Sequence, residues 1–186
     1  MCEEIKLIQQ AKKGKRSAQK QIYETYYKYT FVICLRYLKH REDAEDIAHD
    51  VFFNFFKNLS SFDEKSNTVI KPWIQTIAVN TCLNFIKKKK PEFFKDDTDE
   101  IKKTDSIEAE DSANIEFSNE ELRNALETLP EGKRIIFNLH AVDGLKHEEI
   151  AEKLEITVGT VRSQYKKAKD ILQQTLIQMR NKGTQS

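Results

Sequence analysis

Residues 144–172, GLKHEEIAEKLEITVGTVRSQYKKAKDIL, determine the fold of the C-terminal part of the chain. Inward-facing residues at helical spacing predict a first helix in this stretch: Ile150, Ala151 and Leu154. A turn at Glu155–Thr157 follows, and the Thr157 hydroxyl is suited to cap a second helix. The small Ala151 at the crossing lets the two helices approach at a steep angle. The stretch therefore predicts a helix-turn-helix over 146–169, a motif that inserts its second helix into the DNA major groove.

The second helix of this motif has an apolar stripe and a polar face when it is projected at about 100° per residue. The stripe contains Val161, Tyr165, Ala168 and Leu172. The candidate DNA-contacting residues on the other side are Arg162, Ser163, Lys166 and Lys167. Their guanidinium, hydroxyl and ammonium groups are the donors that hold phosphates and contact guanine edges. A merely solvated basic face is the alternative, but the turn spacing and the capping threonine favour DNA binding.

Residues 41–62, REDAEDIAHDVFFNFFKNLSSF, predict a helix with an unusual outer face. Its core face contains Ala44, Ile47, Ala48, Val51, Phe52, Phe55 and Leu59. The opposite side carries Asp43, Asp46, Asp50 and Lys57, with Phe53 in their midst. Such a phenylalanine either docks onto another protein or is covered by a neighbouring helix of the same chain. The residues alone favour neither interpretation.

Residues 69–90, VIKPWIQTIAVNTCLNFIKKKK, predict a second nucleic-acid face on a helix that starts at Pro72. The predicted inward positions are Ile74, Ile77, Ala78, Thr81, Cys82 and Phe85. The predicted outward positions are Thr76, Asn80, Leu83, Asn84 and Lys87, with Lys88 next to them and Trp73 at the boundary. Asparagine amides can pair with base edges, lysines can hold phosphates, and tryptophan can stack on an unpaired base. The alternatives are a core tryptophan and lysines that only complement the helix dipole.

The 186-residue chain has a net charge of +1 that conceals three blocks of different charge. Residues 1–90 contain 17 Lys and Arg against 10 Asp and Glu, residues 91–117 contain 3 against 10, and residues 118–186 contain 11 against 10. The acidic block has too little apolar content to build a core, so we expect a flexible linker there. The blocks predict two domains, 1–90 and 118–186, joined by the linker 91–117.

Helical periodicity on both sides of this linker, with only five Gly and three Pro, predicts an all-α fold of two small helical domains. The second is expected to contain four helices, including the helix-turn-helix. Ser17 is a predicted N-cap, and Ser118 with Glu121 forms a capping-box pattern. The helix after Pro130 is expected to carry Ile135, Ile136, Leu139 and Val142 and to end at Gly144.

Several functional classes are excluded by what the sequence lacks. The longest apolar run, Tyr29–Leu38, is too short to cross a bilayer and contains Arg36, so no membrane insertion is expected. An acidic N-terminus without a following apolar segment is unlike a secretory signal, and three scattered cysteines are typical of a reducing compartment. We therefore expect a cytoplasmic protein. No metal-ligand spacing, phosphate loop or nucleophile motif is present, which predicts neither cofactor nor enzymatic activity.

These segments in this order resemble the bacterial RNA polymerase sigma factors of the extracytoplasmic-function (ECF) class. The resemblance spans nearly the whole chain and is carried by GKRSAQKQIYETYY, DAEDIAHDVFFNFF, WIQTIAVNTCLNFI and LPEGKRIIFNLHAVDGLKHEEIAEKLEITVGTVRSQYKKAKDIL. The family often has Arg-Asn followed by an Asp four residues after the Asn. Here Val79 precedes Asn80 and Asn84 replaces the Asp.

The resemblance implies a role for each segment. Asp46, Asp50 and Phe53 would contact the clamp helices of the largest subunit of core RNA polymerase. Trp73, Asn80, Asn84, Lys87 and Lys88 would hold the melted minus-ten element of the promoter. Arg162, Ser163, Lys166 and Lys167 would contact the minus-thirty-five element, and an anti-sigma factor is an implied partner.

A stand-alone helix-turn-helix transcriptional regulator is the alternative to this assignment. In such a protein the N-terminal helices would serve dimerisation or ligand sensing. The Asp46–Phe53 surface and the asparagine and lysine face would then have no use, and this favours the sigma factor.

Overall fold

The computed structural model describes residues 3–63, 69–89 and 119–183, and every regular element in these ranges is helical. The helices are α1 (Glu3–Lys12), α2 (Arg16–Tyr37), α3 (Arg41–Lys57), α4 (Ile70–Lys89), α5 (Asn119–Thr128), α6 (Glu131–Phe137), α7 (His147–Leu154) and α8 (Val158–Gly183). A 3₁₀ turn covers Leu59–Ser61, and a π-helical turn covers Asn138–Val142. The prediction of an all-helical chain is confirmed for the described residues. The chain divides into two compact units, Met1–Pro91 and Glu92–Ser186.

Three earlier predictions concern residues outside the described ranges: the linker 91–117, the cap at Ser118, and the state of Cys2. Cys34 and Cys82 are buried and are not disulfide-bonded. Within the described residues, no helix combines the length and the apolarity that crossing a bilayer requires.

The core of the N-terminal unit forms where α2, α3 and α4 pack against one another. The core face predicted for α3 is confirmed, because all seven of its residues are buried: Ala44, Ile47, Ala48, Val51, Phe52, Phe55 and Leu59. Burial of the valine, isoleucine, leucine and phenylalanine side chains in this set contributes about 1.5–3 kcal/mol each before entropy is counted. α3 is therefore fixed in rotation, and the orientation of its outer face is set by its core face.

α1 packs on α2 and joins two distant parts of this unit. The Lys12 Nζ donates a hydrogen bond to the Phe62 carbonyl at 2.6 Å. At the other end of α1, Glu4 Oε1 accepts from the Ile70 backbone N–H at 3.3 Å and from the Tyr26 hydroxyl. One helix thereby holds both the chain that leaves the 3₁₀ turn and the start of α4.

The cap predicted for α2 at Ser17 is wrong. α2 begins at Arg16, so Ser17 lies inside its first turn, and the residue at the cap position is Lys15, which makes no side-chain cap bond. Gly14 has φ +78°, which turns the chain directly after α1. The Lys15 carbonyl then accepts from the N–H groups of Ala18 and Gln19, so the helix starts earlier than the serine pattern predicts.

The faces predicted for α4 are partly wrong. Leu83, assigned to the outward side, is 2% exposed, and Val79 is buried as well. Of the predicted inward residues, Ile77, Thr81 and Phe85 are only half-buried. The physical reason is that α4 packs against both α2 and α3, so its buried arc is wide and rotated relative to a single-neighbour projection.

In the C-terminal unit, α5, α6 and α7 all pack on α8. One cluster of buried side chains joins α5 to α8: Ala125, Leu129, Ala168, Leu172 and Leu176. The helix after Pro130 does not continue regularly, because its last turn is π-helical. Asn138, at the start of this turn, is buried, and Val142, at its end, is 49% exposed. Gly144, with φ +76°, lies beyond this turn, where the sequence predicts the end of the helix.

Candidate functional site

The helix-turn-helix is formed by α7, a short turn and α8. Glu155 adopts the left-handed conformation (φ 60°), and the Ile156 N–H donates to the Ala151 carbonyl at 3.0 Å. The Thr160 N–H donates to Thr157 Oγ1 at 3.1 Å, so the predicted cap of α8 is confirmed. A left-handed non-glycine residue is uncommon, and no residue pattern in this turn predicts it. The turn is therefore fixed by hydrogen bonds at both of its ends.

The inner face of α8 is broader than predicted. Val161, Ala168 and Leu172 are buried as expected, but Gln164 is also buried and Tyr165 is only half-buried. Among the candidate DNA-contacting residues, Arg162 and Lys166 are exposed, whereas Ser163 and Lys167 are half-buried. Arg162 and Lys166 are one turn apart and share the outer side of α8. The outer side of α8 therefore presents at least two cationic side chains that could enter a DNA groove.

Arg162 contacts an acidic residue that the sequence analysis did not single out. Its Nη2 lies 3.3 Å from Glu148 Oε1, at the N-terminal end of α7. The pKa of Glu148 is lowered, first by a hydrogen bond from its own backbone amide and then by the Arg162 guanidinium. Glu148 precedes Arg162 by 14 residues. Only the turn geometry brings them together, so no local sequence pattern reveals the pair.

An aromatic and imidazole cluster supports α8 from behind this face. The rings of His140 and His147 stack with centroids 4.3 Å apart, and Tyr165 meets His140 edge-on at 4.6 Å. His140 Nδ1 lies 2.8 Å from the Leu145 carbonyl, whereas His147 Nε2 is buried without a hydrogen-bond partner among the described residues. Burial, followed by the nearby charges of His140 and Arg162, lowers the pKa of His147.

The outer face of α3 is exposed. Phe53 is 68% exposed, so the alternative that a neighbouring helix covers it is wrong for the described residues. Asp46 and Asp50 are exposed on the same side. Asp43, in contrast, pairs with Lys89 Nζ of α4 at 2.9 Å and so ties α3 to α4. We call Asp46, Asp50 and Phe53 the acidic-aromatic surface.

The acidic-aromatic surface is backed by rings rather than by flexible side chains. Phe52 of α3 lies 4.8 Å from Tyr23 of α2, and His49 lies 5.5 Å from Tyr27 (ring centroids). Phe52 also meets Phe55 and Phe56. Packed aromatic rings restrict rotamers, so Phe53 projects from a rigid support.

The candidate nucleic-acid-binding residues of α4 form one narrow stripe. Asn84 and Lys88 are exposed, while Asn80 and Lys87 are half-buried. Trp73 is also half-buried, with its ring 4.8 Å from that of Phe55 and 5.1 Å from that of Phe62. The tryptophan therefore closes one edge of the core and keeps part of its ring accessible. Its position is intermediate between the core and stacking interpretations.

Within the described residues, no group of His, Cys, Asp or Glu side chains is arranged to hold a metal ion. The arrangement has two features: an exposed phenylalanine beside exposed carboxylates in one unit, and a cationic helix face in a helix-turn-helix in the other. The first suits protein docking, and the second suits duplex DNA.

Comparison with known proteins finds one family model for each of the two units. The family model of sigma-70 region 2 matches residues 22–92, and that of sigma-70 region 4 matches residues 119–172. The ECF RNA polymerase sigma factor SigW of Bacillus subtilis (strain 168) is 32% identical over 183 residues, which cover 92% of this chain and 95% of SigW. The ECF RNA polymerase sigma-E factor of Escherichia coli (strain K12) is 30% identical, covering 89% and 90%.

The fold is also similar to that of the sigma factor RpoE of Bartonella quintana, solved in complex with the anti-sigma factor NepR. The TM-score is 0.50 at 22% identity, and the match covers 84% of this chain and 95% of RpoE.

Proposed function

The chain belongs to the ECF family of RNA polymerase sigma factors, and from this premise we propose how its surfaces divide the work of promoter recognition. A sigma factor of this family directs RNA polymerase to promoters and is not itself an enzyme. The phosphodiester chemistry therefore belongs to the polymerase, and the sigma subunit contributes specificity and strand opening. The observation that carries our assignment is the exposure of Phe53 on the same side of a rigidly packed helix as the exposed carboxylates of Asp46 and Asp50.

The acidic-aromatic surface binds core RNA polymerase at the clamp helices of its largest subunit. An exposed aromatic side chain surrounded by polar groups is the composition of an interface hot spot, where one ring fills a pocket and charges form the rim. Asp46 and Asp50 steer the approach to a basic partner, and Phe53 supplies the buried anchor. The rigid backing by Phe52 supports this role, because less conformational freedom is lost on binding.

The stripe on α4 holds the melted minus-ten element. Trp73 offers an accessible ring for stacking, Asn80 and Asn84 offer amides for base edges, and Lys87 with Lys88 neutralises phosphates. The links from α1 to Phe62 and Ile70 support this assignment, because they hold the start of α4 in place. The α8 face, with Arg162, Ser163, Lys166 and Lys167, contacts the minus-thirty-five element in the major groove.

The domain boundaries and partners complete the proposal. We assign 1–90 to polymerase docking and minus-ten recognition, and 118–186, a four-helix domain, to minus-thirty-five recognition. We assign 91–117 to an acidic linker that threads a polymerase channel. An anti-sigma factor is a further expected partner, by analogy with RpoE. The protein works where the polymerase works, in the cytoplasm.

The test is gel filtration of the purified chain with core polymerase, followed by run-off transcription. We expect co-elution and promoter-dependent transcripts. Asp50→Lys should remove the chain from the polymerase peak, because it reverses a charge of the docking surface. Glu24→Lys is the matched control, since Glu24 is an exposed acid of α2 outside that surface and should co-elute normally.

A chain that ignores core polymerase yet binds one duplex selectively as a dimer would instead be a stand-alone helix-turn-helix regulator. Equal co-elution of the Asp50→Lys variant and the unsubstituted chain would remove the acidic-aromatic surface from the docking assignment.

A further inference from the structure

Arg162, the exposed arginine of the α8 face, carries an acidic neighbour. Glu148 Oε1 lies 3.3 Å from Arg162 Nη2, and the side chains are 62% and 64% exposed. The contact joins the first turn of α7 to the first turns of α8, so it crosses the helix-turn-helix on its outer side. A carboxylate at this place is unexpected in a surface that approaches a polyanion.

The contact engages one nitrogen of the guanidinium and leaves the rest of its donors available. Arginine has five N–H donors in a planar fork, and bidentate base contact needs only two of them. A partner that holds Nη2 restricts the plane of the fork. It also places a negative charge where a DNA phosphate would otherwise approach Arg162.

We propose that Glu148 is a positioning residue for promoter recognition: it orients Arg162 towards base edges and disfavours its contact with phosphates. This inference rests on the proposed role of α8 at the minus-thirty-five element. Arginine on a phosphate adds affinity without sequence information, whereas arginine on a guanine adds both. Glu148 therefore lowers the non-specific affinity for DNA and raises the selectivity for sequence.

The charges around the pair are consistent with this role. Hydrogen bonding and the Arg162 guanidinium keep the pKa of Glu148 below its usual value, so the carboxylate is ionised near neutral pH. Lys166 lies one turn beyond Arg162 on α8, and Lys169 packs over the Tyr165 ring at 5.1 Å. Glu149, next to Glu148, is occupied in capping α7, where it accepts from the Lys146 N–H at 2.6 Å. Glu148 is thus the acidic side chain of this turn that contacts Arg162.

The expected effect is modest because the pair is exposed. Surface ion pairs contribute little in high dielectric, and their loss changes an equilibrium by about fivefold at most. Overall promoter affinity combines a gain in phosphate contact with a loss in base contact. We therefore expect the effect in base preference and in salt dependence.

The experiment uses holoenzyme reconstituted from core polymerase and full-length chain. It selects from duplex promoters whose upstream element is randomised. Arg162→Ala first identifies the base position that Arg162 contacts. Glu148→Ala should then reduce the preference at that position about two- to fivefold and steepen the salt dependence by roughly one phosphate contact. Glu152→Ala is the matched control, because it removes an exposed acid one turn along α7.

The inference requires that Glu148→Ala has no further effect on base preference when Arg162 is already Ala. Unchanged preference in Glu148→Ala, or an equal loss in Glu152→Ala, would overturn it while the minus-thirty-five role of Arg162 stands. If Arg162→Ala changes no position of the element, the proposed role of α8 and the inference fail together. Thermal unfolding of each variant separates these outcomes from a misfolded domain.

Discussion

The two helices assigned to DNA, α4 and α8, are buried in different ways. The buried residues of α4 form two adjacent stripes, Ile70, Ile74, Ala78, Val79, Cys82, Leu83 and Ile86, because α2 and α3 both pack against it. Those of α8 form one stripe, Val161, Gln164, Ala168, Leu172 and Leu176. α4 therefore offers its partner a narrow strip that includes half-buried Trp73 and Asn80, whereas α8 offers a broad face.

Because of this difference, the residues for stability and those for DNA binding are further apart on α8 than on α4. On α8 a side chain of the outer face can change without disturbing the core. On α4 the residues next to the nucleic-acid-binding stripe support the whole N-terminal unit. The predictions below test this contrast, from the largest expected effect to the smallest.

Leu83→Ala should destabilise the N-terminal unit by about 2–5 kcal/mol, because it opens a cavity between packed helices. Denaturant unfolding measures the loss. Asn84→Ala, at the exposed neighbouring position, should change the free energy of unfolding by less than about 0.5 kcal/mol. An unaltered unfolding curve for Leu83→Ala would return Leu83 to the outer face and remove the contrast between the helices.

Phe53→Ala should weaken binding to core polymerase by about 2 kcal/mol or more, roughly thirtyfold in Kd, because the ring is the proposed anchor. Its exposure predicts almost no change in stability. Val32→Ala, at another exposed apolar residue of the same unit (50% exposed), should bind normally. Equal affinities of both variants, measured by fluorescence titration, would contradict the anchor role.

Arg162→Ala should cost about 1–3 kcal/mol of promoter binding by the holoenzyme if its fork pairs with a base. Folding stability should stay within about 0.5 kcal/mol, as expected for a broad exposed face. Lys169→Ala removes a charge of the same helix that packs on Tyr165, and it should lose less promoter affinity. Electrophoretic mobility shifts with duplex and competitor compare the two. A loss no larger than that of Lys169→Ala would leave Arg162 a solvated charge.

Thr157→Ala should destabilise the C-terminal unit by about 1 kcal/mol, since it leaves the Thr160 N–H without its cap. Ser17→Ala should have no such effect, because Ser17 lies inside α2 and the cap position is Lys15. Thermal unfolding of the two variants compares a real cap with an apparent one. Similar losses in both would show that Ser17 caps α2 in solution.

The smallest effect concerns pH. The pKa of His147 is lowered in the folded chain, so the unfolded chain takes up a proton first as the pH falls below about 6.5. The free energy of unfolding should therefore decrease from about pH 7 downwards, until the lowered pKa is reached. His147→Asn should flatten this dependence for the C-terminal unit. An unchanged pH profile of His147→Asn would show that His147 does not cause this pH dependence.

Features set by local pattern could be predicted from the sequence. The core face of α3 follows from helical spacing alone, and the Thr157 cap follows from one hydroxyl before a periodic segment. Features that depend on a second element could not. Leu83 was misplaced because a projection assumes one neighbour, and no residue pattern predicts the π-helical turn at Asn138–Val142. The exposure of Phe53 stayed open for the same reason.

By itself the sequence determined that the chain is helical, that a helix-turn-helix lies near its C-terminus, and to which family it belongs. These properties reside in spacing and residue type, which act over one or two helical turns. The tertiary structure alone decided which side of α4 faces solvent, that Phe53 is uncovered, and that Glu148 meets Arg162. Burial and charge pairing depend on which helices pack together, and residues far apart in the chain settle that.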